Sequence, residues 1–246
     1  MSGFVVEQAG GTPEAAWRAA ASRQNLAELD VTVAGRVVVV APHPDDEILG
    51  AGGLIRTLAL AGTGVEIWAV TDGEGCFGPL SAGPAGALAQ RRAEETHLAL
   101  RRLGVAGVPV RRLRVADGEV SASSDDLASD IAAALGPGDL CVAAWRGDGH
   151  PDHEAVGLAA ADGSARSGCQ LLEYPVWAWY WADPEALTLP RASARLLRLD
   201  RPAAAAKRRA ISAFASQLGP GPEGQPPVLP AAVLRYFRRP GEVLIG

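Results

Sequence analysis

Three of the four histidines in this 246-residue chain fall within two short acidic segments. The first is His43-Pro44-Asp45-Asp46-Glu47 and the second is Gly149-His150-Pro151-Asp152-His153-Glu154. Imidazole nitrogens and carboxylate oxygens are metal donors. His43 and Asp46 stand three positions apart, so in a tight turn or a first helical turn they face the same side. His153 could complete a set of two imidazoles and one carboxylate. Such a set leaves a coordination position open for water, as catalytic zinc sites do. Zn(II) suits it, and so do Fe(II), Mn(II) and Co(II), so ligand type alone does not choose the ion.

The neighbouring groups suggest hydrolysis. A zinc-bound water has its pKa lowered to about 7. Asp45 adjoins a candidate ligand but points about 100° away from it on helical geometry. It can therefore reach that water as a general base. His150 lies three residues before His153 and could face the same cavity, where its protonated ring would stabilise an oxyanion and protonate a leaving amine. The plainer reading is that these carboxylates favour the positive end of a helix and the histidines cap one. Two such motifs on comparable loops favour the metal.

The elements that would carry these residues alternate. A helix running to about Ser22 opens at Thr12-Pro13-Glu14, with an N-cap, a proline at the first helical position and an early acid. Strands are expected at 36–41, 65–70, 110–113, 139–144, 170–174, 195–199 and 242–245. Helices are expected at 48–61, 85–103, 124–135, 154–162 and 203–218, with a Pro/Gly-rich loop over 219–230. Short strands that are apolar on both faces and separated by helices predict an α/β fold with a mostly parallel sheet. No repeat or linker divides the chain, so one domain spanning 1–246 is expected. Ligands of such sheets bind at the strands' carboxyl ends, where both motifs and Thr71-Asp72-Gly73-Glu74-Gly75 fall.

Composition narrows the class. Charged residues are 21% and hydrophobic ones 48%, ordinary for a globular protein. A net charge of −5 gives no reason to expect nucleic acid or anionic membrane as a partner. Residues 1–11 lack the form of a secretory signal, and no apolar run approaches a membrane span. The odd, widely spaced Cys76, Cys141 and Cys169 form no disulfide framework, which makes the cytoplasm the default.

The two motifs resemble those of the PIG-L/LmbE-like, zinc-dependent N-acetylglucosaminyl deacetylases, the first matching Pro/Ala-His-Pro-Asp-Asp-Glu and the second His-x-Asp-His. Weaker echoes lie at 71–74, 91–95 and 207–217. The resemblance implies a Rossmann-like three-layer fold and removal of an N-acyl group, usually acetyl, from an amino sugar or its conjugate. It makes His43, Asp46 and His153 the metal ligands, Asp45 the general base and His150 the oxyanion-stabilising acid. Asp152 becomes a group that orients or tunes the neighbouring imidazole.

Other features stay open. The run Glu-Tyr-Pro-Val-Trp-Ala-Trp-Tyr-Trp at 173–181 holds three of six tryptophans. It could line a sugar or aglycone pocket, pack over the core, or make a contact in a homo-oligomer. Residues 76–86 could form a flap. Arg91 or Arg92 could bind substrate hydroxyls, although a helix-surface ion pair is the simpler role. His97 reads as a structural or surface residue. Rival functions are an amidase of a larger thiol-sugar conjugate and a non-catalytic carbohydrate-binding protein with a structural metal.

Overall fold

A strand with no polar position cannot lie on a sheet that has one wet face. Val37–Ala41 (β2) and Leu140–Ala144 (β5) are two such strands, and every residue of each is buried. In the computed structural model, which describes residues 11–23, 26–78, 82–184, 190 and 192–246, they pair in parallel at the centre of an eight-stranded sheet. The other strands are Ala27–Glu28 (β1), Val65–Thr71 (β3), Val110–Val115 (β4), Gln170–Tyr174 (β6), Ala194–Arg198 (β7) and Gly241–Ile245 (β8). Their order is β1-β7-β8-β6-β5-β2-β3-β4, and only β8 runs antiparallel to its neighbours.

The two-residue period of β2 divides the core. Val37 and Val39 pack with Leu54, Leu100 and Ala206 on one face, while Val38 and Val40 pack with Leu127, Ile131 and Val156 on the other. Burying each valine contributes roughly 1.5–3 kcal/mol. The first face is covered by helices Asp46–Leu60 (α2), Ala82–Leu103 (α3) and Arg201–Ile211 (α7), the second by Ser124–Ala134 (α4) and Pro151–Ser167 (α5). This is the three-layer α/β fold with a mostly parallel sheet that the sequence predicts.

From β2 the chain steps through α2 to β3 on one side, whereas β5 and then β6 lie on the other. The strand order thus reverses at β2, and the register Val40↔Ala143 sets the ends of β2 and β5 side by side. Loops leaving these two ends open a crevice between them. Both histidine motifs are in those loops.

Several elements differ from expectation. The helix placed at 203–218 is two, α7 and a single turn, Ala215–Leu218 (α8). The chain breaks between them so that Ser216 turns inward and donates its N–H and hydroxyl to Glu95, at 2.8 and 2.6 Å. α5 begins at Pro151 instead of 154, because His150 caps it and proline suits its first position. Helix Ala231–Phe237 (α9), the turn Ala178–Trp181 (α6) and edge strand β1 are additional; Glu14–Arg23 (α1) was expected. Part of the 76–86 segment is the first turn of α3, with residues 79–81 outside the described residues. Residues 1–10 of the segment read against a secretory signal are likewise outside them. No helix among the described residues is long and apolar enough to cross a membrane.

Candidate active site and metal centre

The first loop leaves β2 and turns sharply into α2. Asp45 is the N-cap of α2, with φ 135° and ψ −31°, a backbone conformation that side chains other than glycine rarely hold. Its carboxylate makes no capping bond, and its own N–H donates to Glu47 Oε2 at 3.0 Å. The strained turn is fastened from α3. Arg92 donates to Pro44 O and Gly73 O, each at 2.8 Å, and to Asp45 Oδ2 at 3.2 Å. Gly73 has φ +65°, and a Cβ there would collide with this guanidinium. Arg92 is therefore a buried clamp and not a surface ion pair; Arg91, half-exposed and paired with Glu95, fits the simpler role.

The donors converge. His43 Nδ1 is 3.2 Å from Asp46 Oδ2 and 3.3 Å from His153 Nε2, and His153 Nε2 is 3.2 Å from Asp46 Oδ2. The sides of this triangle match the ~3.3 Å edge of a tetrahedron whose bonds are ~2.0–2.1 Å long, as in zinc sites. The donor set therefore fits a small divalent ion, and it is buried.

Each ring is oriented through its other nitrogen. Carboxylates accept, so His43 Nε2 carries a proton toward Asp117 Oδ1 at 3.1 Å and Asp152 Oδ2 at 3.2 Å. This corrects the expectation for Asp152. Its carboxylate serves His43, 109 positions away, and not a neighbouring ring, because it points back across the crevice toward Gly118 N. His153 Nδ1 donates to Asp148 Oδ2 at 2.8 Å. His150 accepts from Asp152 N through Nδ1 at 3.2 Å, so its proton is on Nε2. Its ring centroid is 5.0 Å from that of His43 and 4.7 Å from that of His153.

Proton affinities follow this arrangement. Burial opposes charge on His43 and His153, but carboxylates outweigh it, raising His43 well above its usual range and His153 to about 9. Burial likewise works against an ionised Asp46, yet His153 and His43 hold its pKa far below normal. The field that draws protons onto these rings would also draw a cation. Burial lifts Asp45 to about 7 against the pull of Arg92, and lifts Glu47 to about 8. Burial, with His153 and His43 beside it, lowers His150 to about 3. The protonated His150 expected from the sequence is thus disfavoured, and the neutral ring carries its proton on Nε2.

Asp117, Asp148 and the clamp role of Arg92 were missed from sequence. Asp117-Gly118 follows β4 at the same rim and carries a turn signal that could have flagged it. The 173–181 run has buried Trp177 and Trp179, with Trp181 44% exposed. His97 is an exposed helix residue. A cavity of about 750 Å³ lies between α1, α9, β7 and β8, lined by Trp17, Trp179, Tyr236 and Arg239. None of the donor residues lines it, so the chemistry belongs to the crevice.

Residues 38–163, just over half of the chain, match the PIG-L family, GlcNAc-PI de-N-acetylase. This chain belongs to the PIG-L family. No curated protein sequence matches it. Its fold is similar to that of a deacetylase–bog complex from the teicoplanin biosynthesis pathway, at TM-score 0.64 and 20% identity, covering 85% of this chain and 96% of that one. It is also similar to N,N'-diacetylchitobiose deacetylase from Pyrococcus horikoshii (TM-score 0.53, 21% identity, 75% and 71% covered). A third is the A40926 pseudoaglycone deacetylase Dbv21 (TM-score 0.55, 23% identity, 74% and 82% covered).

Proposed function

We propose that this PIG-L family chain is a zinc-dependent hydrolase that removes the N-acetyl group from an N-acetylglucosamine-type amino sugar or its conjugate. The observation that carries the reading is the triangle of His43 Nδ1, Asp46 Oδ2 and His153 Nε2 beside an Asp45 carboxylate unused in capping. His43, Asp46 and His153 hold the ion, which supplies Lewis acidity and a more acidic water. Fe(II), Mn(II) or Co(II) would serve the same donors.

Asp45 takes a proton from the attacking water as its oxygen bonds to the amide carbon. Buried and paired with Arg92, its carboxylate can accept this proton and later return it. His150 Nε2–H donates a hydrogen bond to the carbonyl oxygen as negative charge develops there. The C–N bond then breaks, and the proton held by Asp45 passes to the departing nitrogen. Water and amide give acetic acid and an amine, which leave at neutral pH as acetate and ammonium. Asp117 and Asp152 hold His43 in the donor tautomer throughout.

Chitobiose, teicoplanin and A40926 deacetylases as fold neighbours support a sugar-conjugate substrate. The cysteines are free, in keeping with a cytoplasmic setting. The test is amine release from N-acetylglucosamine and a panel of its conjugates by metal-stripped protein, with and without Zn(II). Release should need metal and fall at least ~10²-fold in Asp45→Asn, as loss of a general base implies. Undiminished release by a folded Asp45→Asn protein would refute the role of Asp45. Stoichiometric Zn(II) binding without release from any substrate would favour the carbohydrate-binding reading.

A further inference from the structure

The aromatic run at 173–181 buries Trp177 and Trp179 in the core but does not stand apart from the donors. Its backbone meets the metal centre through one carboxylate. Asp148 is fully buried. Its Oδ1 accepts the N–H of Val176 at 2.8 Å and of Ala178 at 3.0 Å, and its Oδ2 accepts that of Trp177 at 2.9 Å. The fourth donor is His153 Nδ1, at 2.8 Å. Trp177 and Trp179 are buried in the core, and the Trp179 ring meets Trp17 edge-on with centroids 4.9 Å apart. Trp181 closes the arrangement from outside, its Nε1–H donating to Asp148 O at 2.7 Å. It lies so close over Gly149 (φ +79°) that a Cβ there would come within 2.4 Å of the indole nitrogen.

We propose, resting on the metal-site reading above, that Asp148 is a positioning residue, held by the backbone of the aromatic run, that fixes the ring and tautomer of His153. An ionised carboxylate can only accept, so the proton between it and His153 belongs to Nδ1 and the lone pair of Nε2 is left for the ion. Three backbone N–H groups compensate the buried carboxylate without bringing in a second cation that would weaken its hold on the imidazole. The tryptophans anchor the segment that provides those groups. The run thereby acts on the metal through Asp148, whether or not any indole touches substrate.

An asparagine at 148 would put an amide N–H₂ in place of Oδ1 or Oδ2, opposite two of the four donors either way. The less costly arrangement puts it at the Oδ2 position, where Trp177 N–H loses its acceptor while His153 can adapt by accepting at Nδ1, and the ring then presents Nε2–H to the ion, the wrong tautomer. Zn(II) affinity of purified wild type and Asp148→Asn would be measured by chelator competition, with unfolding monitored separately. The expected result is affinity reduced ~10–100-fold in a folded variant, the range for losing such an outer partner. A variant that is less stable but binds Zn(II) as tightly as wild type would overturn the proposal and leave Asp148 merely structural. Should the variant not fold, long-range 1H–15N spectra of Zn(II)-loaded wild type decide the matter. A proton on His153 Nδ1 with Nε2 ligating supports the proposal, and ligation through Nδ1 overturns it. Wild type that binds no Zn(II) would defeat the metal reading and this inference together, whereas equal binding by both proteins defeats this inference alone.

Discussion

His-Pro-Asp occurs in both loops of the crevice, at 43–45 and 150–152, but the two copies meet their helices in different registers. In the second, His150 is the N-cap and Pro151 the first residue of α5, an ordinary helix start with an extended N-cap backbone. In the first, the helix begins two positions later in the motif, at Asp46, and Asp45 is the cap at φ 135°. The same three residues thus place the first histidine in the donor triangle and the second beside it. A motif's chemistry depends on where its helix starts as much as on its letters. The strained copy needs a buried clamp, Arg92; the relaxed copy holds itself.

The sharpest test of that contrast is to remove the arginine that braces each loop. Arg92→Met leaves Asp45 and two carbonyls buried without their partner, and should cost about 3–5 kcal/mol. Arg146→Met in the second loop takes a half-buried guanidinium from the buried Glu173 carboxylate, which keeps the Arg146 N–H, and should cost less, about 1–3 kcal/mol. Urea midpoints at unchanged m compare the two. Equal losses would mean the first turn needs no special support.

Next in size is turnover. His150→Asn retains a cap but loses the Nε2–H donor, and kcat should fall ~10²–10³-fold. A kcat within threefold of wild type would remove His150 from the reaction.

The loops should also lean oppositely with pH in metal-free protein. Glu47, raised to about 8 from 4.5, binds more protons folded than unfolded, so its contribution declines as pH rises through that window. His150, lowered to about 3 from 6.5, binds fewer, so stability is lost as pH falls below 6.5. Chelator-treated Glu47→Gln should gain on wild type between pH 5.5 and 8.5, and His150→Asn should gain on it from pH 7 down to 5. Parallel curves for either variant would discard that shift.

The smallest effect is the cap. His150→Ala should be about 1 kcal/mol less stable than His150→Asn at pH 7.5, because alanine offers Asp152 N–H no acceptor. Identical thermal midpoints would show that α5 starts without help from residue 150.

Much of this was legible in sequence because local signals agreed with the fold. Unbroken apolar runs marked β2 and β5, and the three-residue spacings put His43 with Asp46 and His150 near His153. The unseen parts depend on contacts across distant segments. Asp152 pairs with a ring 109 residues earlier, and Asp117 reaches the site only because β4 lies beside β3. Arg92 sits in a helix that reads as an ordinary charged surface, yet it is 2% exposed. Nothing in helical spacing distinguishes it from Arg91 beyond which way the helix rolls. The helix break after α7 follows from an inward pull on Ser216 that no propensity signals.

The placement of β8 constrains the birth of the molecule. Among the described residues, β1 and β7 are joined to the rest of the sheet only through the five residues of β8, which lie between β6 and β7. During synthesis the parallel half, with both histidine loops, can pair as it emerges. β1, made far earlier, must wait for β7, and the two must wait together for β8. The crevice can therefore be assembled on a nascent chain whose sheet is still in two pieces, and the final strand is the stitch that joins them.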